Sequence, residues 1–186
     1  MFESNISNNN NIIFIDIDDT ICDTRKAFGE LYTEITGEPI AATNVRHYRD
    51  MCPKWTDENE IKIIFKNGGE VYRKAQPVQG AKEGISKLIQ KGFKIKLVSL
   101  NFADSAWAKQ KWIEKFFPEL KDDVILLTSM NTNKDIFKGH AIIDDDLKNI
   151  KTNGSRFPIL IDIYNIYDDL NYKHKYHSWK EIVDKF

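Results

Sequence analysis

Cysteine is nearly absent. The two present, Cys22 and Cys52, form no metal-spaced pair and are too few for a disulfide framework. A reducing, cytoplasmic setting is the simplest expectation. Long apolar runs are missing as well: no stretch approaches the roughly 20 residues that span a bilayer, so no membrane partner is expected. Positive charge is not in excess, since 27 Lys and Arg against 28 Asp and Glu leave a net charge of −1. Such a chain has no basic field to gather a nucleic acid polymer, although a few local charges suffice for a small phosphorylated ligand. Residues 1–11 are polar and Asn-rich. They lack the positive start and apolar core of a signal peptide and read as a frayed leader. There is no internal repeat. What remains is 186 residues, 41% hydrophobic and 30% charged, enough for one globular domain with an insertion.

The first apolar run, Ile12 to Ile15, leads straight into Asp16-Ile17-Asp18-Asp19-Thr20. Four apolar residues rich in β-branched types predict a strand buried on both faces, the kind found in parallel sheets. Functional groups of such sheets gather beyond the carboxyl ends of the strands. A second buried run ends the same way, at Asp144-Asp145-Asp146. Acids crowded at one sheet edge repel one another, so a cation or a chemical role is expected there.

Between these runs the pattern changes twice. Arg25 to Ile35 predicts a helix, with Phe28, Leu31, Tyr32 and Ile35 on one face and Gly37 and Pro39 ending it. Ala41 to Met51 predicts a short helix, and Asp57 a cap for another that carries Ile61, Ile64, Phe65 and Tyr72. Residues 24–78 therefore hold helices only. A βα crossover needs a dozen or so residues; this one is several times longer and predicts a helical cap inserted into a core of 1–23 and 79–186. From Gly80 a β/α rhythm follows. Helical faces are expected after Ala81, after Asp104, at Leu147–Lys151 and from Trp179, and strands at 93–99, 124–127, 140–143 and 157–161. The expectation is an α/β fold, a Rossmann-like doubly wound parallel sheet with a small helical cap after its first strand.

The acids suggest phosphoryl chemistry. Asp16, where the strand ends, is the candidate nucleophile, able to attack phosphorus and form an aspartyl-phosphate. Asp18, two residues on, is the candidate general acid and base. A phosphate monoester carries nearly two negative charges, and each unit pair at about 4 Å costs roughly 4 kcal/mol at an effective dielectric near 20. A divalent cation offsets that repulsion, and Mg²⁺ suits an all-oxygen set: Asp16, Asp18, Asp144 and Asp145. Ser99, at a strand end, and Lys134, ahead of the acidic strand, are candidates for the phosphoryl oxygens, with Lys138 as the competitor of Lys134. Asp19 and Asp146 are expected to be solvated or supporting, Asp23 a helix cap and Cys22 a packed residue. Phe28, Trp55, Phe65 and Tyr72 are expected to build cap core or to stack a base. His174 and His177 are expected on a surface loop.

Asp16-Ile17-Asp18-Asp19-Thr20 resembles the first motif of the haloacid dehalogenase superfamily, Asp-x-Asp-x-Thr/Val. Ser99 is similar to its second motif, Lys134 to the third and Asp144-Asp145 to the fourth, all in the family order. A narrower resemblance is to the 5′(3′)-deoxyribonucleotidase family. It is carried by Pro77-Val78-Gln79-Gly80-Ala81, by Lys111-Trp112-Ile113-Glu114-Lys115-Phe116-Phe117-Pro118, by the segment from Asn133-Lys134 through Asp145, and by Trp179. It implies hydrolysis of nucleoside monophosphates. Two departures stand out. Asp19-Thr20 replaces a frequent Gly-Val-like pair, and Val98-Ser99-Leu100 replaces a Thr-rich strand end. Rival readings are a phosphatase of another small metabolite, a receiver-like phospho-acceptor and a phosphate-binding protein without turnover.

Overall fold

The computed structural model describes residues 11–60, 69–101, 105–127 and 134–186. Six strands, β1 (Ile12–Ile15), β2 (Lys94–Leu100), β3 (Val124–Leu127), β4 (Ala141–Asp144), β5 (Phe157–Ile161) and β6 (Lys175–Tyr176), form one sheet. Its order is β3-β2-β1-β4-β5-β6 and every pairing is parallel. The helices are α1 (Thr24–Thr36), α2 (Asp57–Glu60), α3 (Glu70–Lys74), α4 (Ala81–Gln90), α5 (Ala106–Phe116), α6 (Leu147–Thr152) and α7 (Trp179–Val183). Among the described residues no helix is long and apolar enough to cross a membrane.

The period of two along each strand divides the interior into two cores. Ile13, Ile15, Ile95, Leu97, Ala141, Ile143, Ile159 and Ile161 point into one, together with α4, α5 and α7 residues such as Ile85, Ile113 and Ile182. Phe14, Val98, Ile142 and Leu160 point into the other, with Leu147 and Ile150 of α6. Both faces of β1 are thus covered, which is why its sequence is uniformly apolar. The chain runs outward from β1 through β2 to β3, then returns to β4 on the other side of β1. The order reverses between β1 and β4, and Asp16 and Asp144 lie at the tips of those two strands. Such a reversal opens a crevice at the carboxyl edge of a parallel sheet.

The segment between β1 and α4 contains α1, α2 and α3 and no strand among the described residues. It leaves and re-enters through one stem: Asp23 N donates to Gln76 O at 2.9 Å and Val78 N to Ile21 O at 2.8 Å. Asp23 caps α1 as expected, accepting from Lys26 N at 3.2 Å. Gly37 ends that helix in the left-handed conformation (φ 73°), a C-terminal stop that glycine adopts without strain.

Three expectations change. Residues 41–51 form bends and one 3₁₀ turn, Tyr48–Met51, in place of a helix. The carbonyls of Thr43 and Val45, which an α-helix would use internally, accept from the Arg25 guanidinium at 3.3 and 2.8 Å. Ile35, assigned to the buried face of α1, is 39% exposed. The two-residue strand β6 arises inside the expected surface loop, because Leu160 N reaches His174 O at 3.0 Å. The helix from Asp57 is described only over α2 and α3, and Ile61, Ile64, Phe65 and Asp104 lie outside the described residues.

Candidate active site

The loop after β1 carries the first acids and is held by its own backbone. Asp16 N donates to Ile143 O at 2.9 Å, Cys22 N to Ile17 O at 2.8 Å and Asp19 N to Cys22 O at 2.8 Å. Trp179 of α7, 1% exposed, fixes the same loop from below: its indole N–H donates to Thr20 O at 2.8 Å. Its ring lies so close to α4 that a Cβ on Gly84 would come within 2.6 Å of it. A late residue of the chain thereby positions an early loop.

Three carboxylates converge at the β1–β4 reversal. Oxygens of Asp16, Asp144 and Asp145 lie within 4.8 Å of one another. Lys134 joins them: its ammonium touches Asp16 Oδ1 and lies 2.7 Å from Asp144 Oδ2. Asn149 of α6 donates to both oxygens of Asp144 at 3.1 Å, and Asp146 N donates to Asp144 Oδ1 at 2.8 Å. Burial raises the Asp16 carboxyl to about 7, Lys134 opposing and Asp144 and Asp18 adding to the rise. Burial, then the charges of Asp19, Asp16 and Asp144, push Asp145 well above the usual carboxylate range. For Lys134 burial works against the charge, but Asp144 and Asp16 outweigh it, and the ammonium is held. One buried cation faces three carboxylates, so the cluster is short of positive charge. An all-oxygen donor set of this kind fits a hard divalent cation.

Asp18 looks the other way. Its Oδ2 accepts from Lys109 Nζ at 2.7 Å and from Ser99 Oγ at 3.2 Å, and its Oδ1 accepts from Tyr72 OH at 2.8 Å. The Asp18 side chain, expected among the metal ligands, is therefore absent from the acidic group of Asp16, Asp144 and Asp145. Lys109 also donates to Ser99 Oγ at 2.7 Å and Leu100 O at 2.9 Å. Ser99 and Lys134 stand where the sequence puts them, at the site, and the competitor Lys138 is exposed. Lys109 was not anticipated. The signal was present: it shares the stripe of Trp112, Ile113 and Phe116 at i, i+3, i+4 and i+7, where a lysine, here 1% exposed, needs an acid within reach. Asn149 carried no comparable signal.

Asp19 is buried, contrary to the solvated alternative, and is met by Arg25, Thr24 and Tyr48. Asp146 is exposed and caps α6, accepting from Lys148 N at 2.9 Å. Burial raises the Cys22 thiol well above its ordinary range, as befits a packed residue. His177 meets Asp162 and Asp168 in space, although no sequence spacing announced it. The Asp162 carboxylate is already occupied by Ile166 N and Tyr167 N at 2.7 and 2.9 Å.

Above the acids lies a cavity of about 880 Å³, lined by Asp16, Asp18, Ser99 and Lys134 on one side and by Phe28, Trp55 and Tyr72 of the insertion on the other. Phe28 stacks on Trp55 with ring centroids 5.3 Å apart. The site thus pairs a charged floor with an aromatic roof.

The profile of the family described as 5′ nucleotidase, deoxy (pyrimidine), cytosolic type C protein matches residues 10–186. The chain belongs to this family. It is accordingly a phosphatase of the nucleotidase type, a family that the receiver-like reading does not fit. No curated protein matches significantly. Solved structures resemble it in fold. A predicted phosphatase from Clostridium acetobutylicum is 15% identical with a TM-score of 0.61, covering 96% of this chain and 98% of its own. A haloacid dehalogenase-like hydrolase from Streptococcus pneumoniae is 12% identical with a TM-score of 0.60, over 95% and 98%. The HAD-hydrolase YfnB from Bacillus subtilis, solved bound to magnesium, is 12% identical with a TM-score of 0.59, also over 95% and 98%. The nucleotidase family and the doubly wound sheet agree with the four motifs read along the chain.

Proposed function

We propose that this family member hydrolyses nucleoside monophosphates, most simply as a 5′(3′)-deoxyribonucleotidase, through an aspartyl-phosphate on Asp16 and with Mg²⁺ as cofactor. The observation that carries the reading is the division of labour between the two neighbouring acids. Asp16 is buried against Lys134 in the acidic group, whereas Asp18 sits with Ser99 and Lys109 beneath the insertion.

Asp16, Asp144 and Asp145 would hold the metal, which supplies positive charge where carboxylate and phosphate meet; the magnesium of the YfnB structure supports the choice of ion. The remaining steps belong to the side chains. Lys134, Lys109 and the Ser99 hydroxyl bind the phosphoryl oxygens and orient phosphorus in front of Asp16. An Asp16 oxygen forms the new P–O bond while the ester P–O bond breaks, and Asp18 gives its proton to the departing sugar oxygen. Asp18 then takes a proton from water as that water attacks phosphorus. Inorganic phosphate leaves and Asp16 is restored. Residues 24–78 act as the cap, with Phe28, Trp55 and Tyr72 enclosing the nucleoside. Stacking of a base on aromatic rings contributes about 1–3 kcal/mol in known cases.

The test is phosphate release from ribo- and deoxyribonucleoside 5′- and 3′-monophosphates, sugar phosphates and an aryl phosphate, with Mg²⁺ and with EDTA. Selective, Mg²⁺-dependent release from nucleotides is expected. Activity on the aryl phosphate alone would discard the nucleotide assignment, and full activity in chelator would discard the metal.

A further inference from the structure

Asp19 stands where the resembling family often has glycine, and the backbone there still has glycine's geometry. Its φ is +51°, in the left-handed region that most side chains occupy only at a cost. The carboxylate is 4% exposed and collects four donors. Oδ1 accepts from Arg25 N and Thr24 Oγ1, both at 2.7 Å. Oδ2 accepts from Arg25 Nε at 3.1 Å and from Tyr48 OH at 2.8 Å. Strained backbone and a buried charge persist together only where the surroundings hold them in place.

What holds them reaches into the insertion. The Arg25 guanidinium, 4% exposed, donates to Val45 O and Thr43 O and lies 4.9 Å from the Tyr48 ring centroid. Tyr48 stacks on Phe28 at 4.8 Å, and Phe28 on Trp55. A continuous path of contacts therefore leads from the residue after Asp18 to the aromatic roof of the cavity. Arg25 makes no hydrogen bond with Ser99, Lys109 or Lys134 among the described residues; its partners are Asp19, Thr43, Val45 and Met51.

We infer that Asp19 and Arg25 are positioning residues, a clamp that sets the insertion over the site and so determines the fit of the nucleoside, leaving phosphoryl transfer to the floor. The substrate half of this inference rests on the nucleotidase reading; the clamp itself does not.

Arg25→Gln, Arg25→Lys and Tyr48→Phe test it by hydrogen exchange over residues 41–52 and by kinetics on a deoxynucleoside monophosphate and an aryl phosphate with Mg²⁺. In the wild type the amides of Ala41, Asp50 and Cys52 are bonded within this segment. Arg25→Gln is expected to lose that protection while the β1, β2 and β4 amides keep theirs. A displacement of about 1 Å can cost on the order of 100-fold, so kcat/KM for the nucleotide should fall by about that factor, mainly through KM. The aryl phosphate should change by less than about 3-fold, because its phosphoryl group meets an unmoved floor. Arg25→Lys should recover part of the nucleotide activity. If Arg25→Gln does not fold, Tyr48→Phe, which removes the hydroxyl bonded to Asp19 Oδ2 and to Thr24 Oγ1 and keeps the stack, should show the same pattern at about 5- to 10-fold. Equal losses on both substrates, or unchanged exchange over 41–52, would overturn the clamp. A wild type inactive on nucleotides would overturn the substrate reading, and the exchange experiment would still judge the clamp.

Discussion

The floor and the roof of the cavity are built by different means. The floor acids Asp16 and Asp144 sit at the tips of adjacent parallel strands, and the ladder that pairs Ile15 with Ile143 sets their spacing. Backbone hydrogen bonds repeat along the whole sheet, so the spacing of the two strand tips does not depend on a single side chain, although Trp179 steadies the loop that follows β1. Among the described residues the roof has no ladder. Residues 41–51 are irregular, and a buried guanidinium supplies donors to carbonyls that a helix would satisfy itself. On the proposed reading the chemistry stands on the most redundant part of the fold, and recognition on a few side chains that one substitution can disconnect. Such an arrangement lets a catalytic floor stay constant while the roof changes with the substrate.

Variants that strike one part and spare the other put this contrast to the test. The largest effect belongs to the floor. Asp16→Asn should lower turnover on every phosphate ester by about 10⁴-fold or more, since the proposed nucleophile is lost. Far-ultraviolet circular dichroism and the unfolding midpoint should stay near wild type, because Lys134 keeps Asp144 as a partner; substantial activity would move the nucleophile elsewhere. Lys109→Met comes next. It removes the cation proposed to bind the phosphoryl group but fills the same stripe of α5, so kcat/KM should fall by about 10²-fold, equally for nucleotides and aryl phosphate. A loss confined to nucleotides would transfer Lys109 from the floor to the roof.

Trp55→Ala addresses the roof alone. Loss of one stacking surface should raise KM for nucleotides by about 10-fold, a change of about 1.4 kcal/mol, with a smaller effect on the aryl ester. Equal effects would mean that the aromatic roof is packing and nothing more. The smallest change is expected from Gly84→Ala, remote from both. A methyl 2.6 Å from the Trp179 ring must displace that ring, costing about 1–3 kcal/mol in a urea titration. Because Trp179 holds Thr20 O, the floor loop should loosen too. A fully stable, fully active variant would show that Trp179 does not position the acids.

Legibility followed the same division. Strands β1 to β5, their parallel sense and the carboxyl-edge acids were readable because burial on both faces leaves an unbroken apolar run with a charged end. The nearness of Ser99 and Lys134 to the acids was readable from their places relative to strands. The helix expected over 41–51 failed for a local reason: Thr43 and Val45 give their carbonyls to Arg25, a partner that no periodicity encodes. The Asp18 carboxylate is expected beside the metal because two acids two residues apart at a strand end can point into one cleft and match the Asp-x-Asp motif. Its direction depended on Lys109 and Tyr72, 91 and 54 residues away.

By itself the sequence determined the α/β rhythm, the helix that follows β1 and the acids that end β1 and β4. Those properties are carried by short-range patterns of burial and charge. Only the tertiary structure decided that Asp16 meets Lys134 while Asp18 meets Lys109, and that Asp19 is a buried anchor joined to Arg25. The reason is physical: the free energy of a charged side chain depends on which opposite charges and donors the fold brings within about 3 Å, and that proximity is a property of the folded chain.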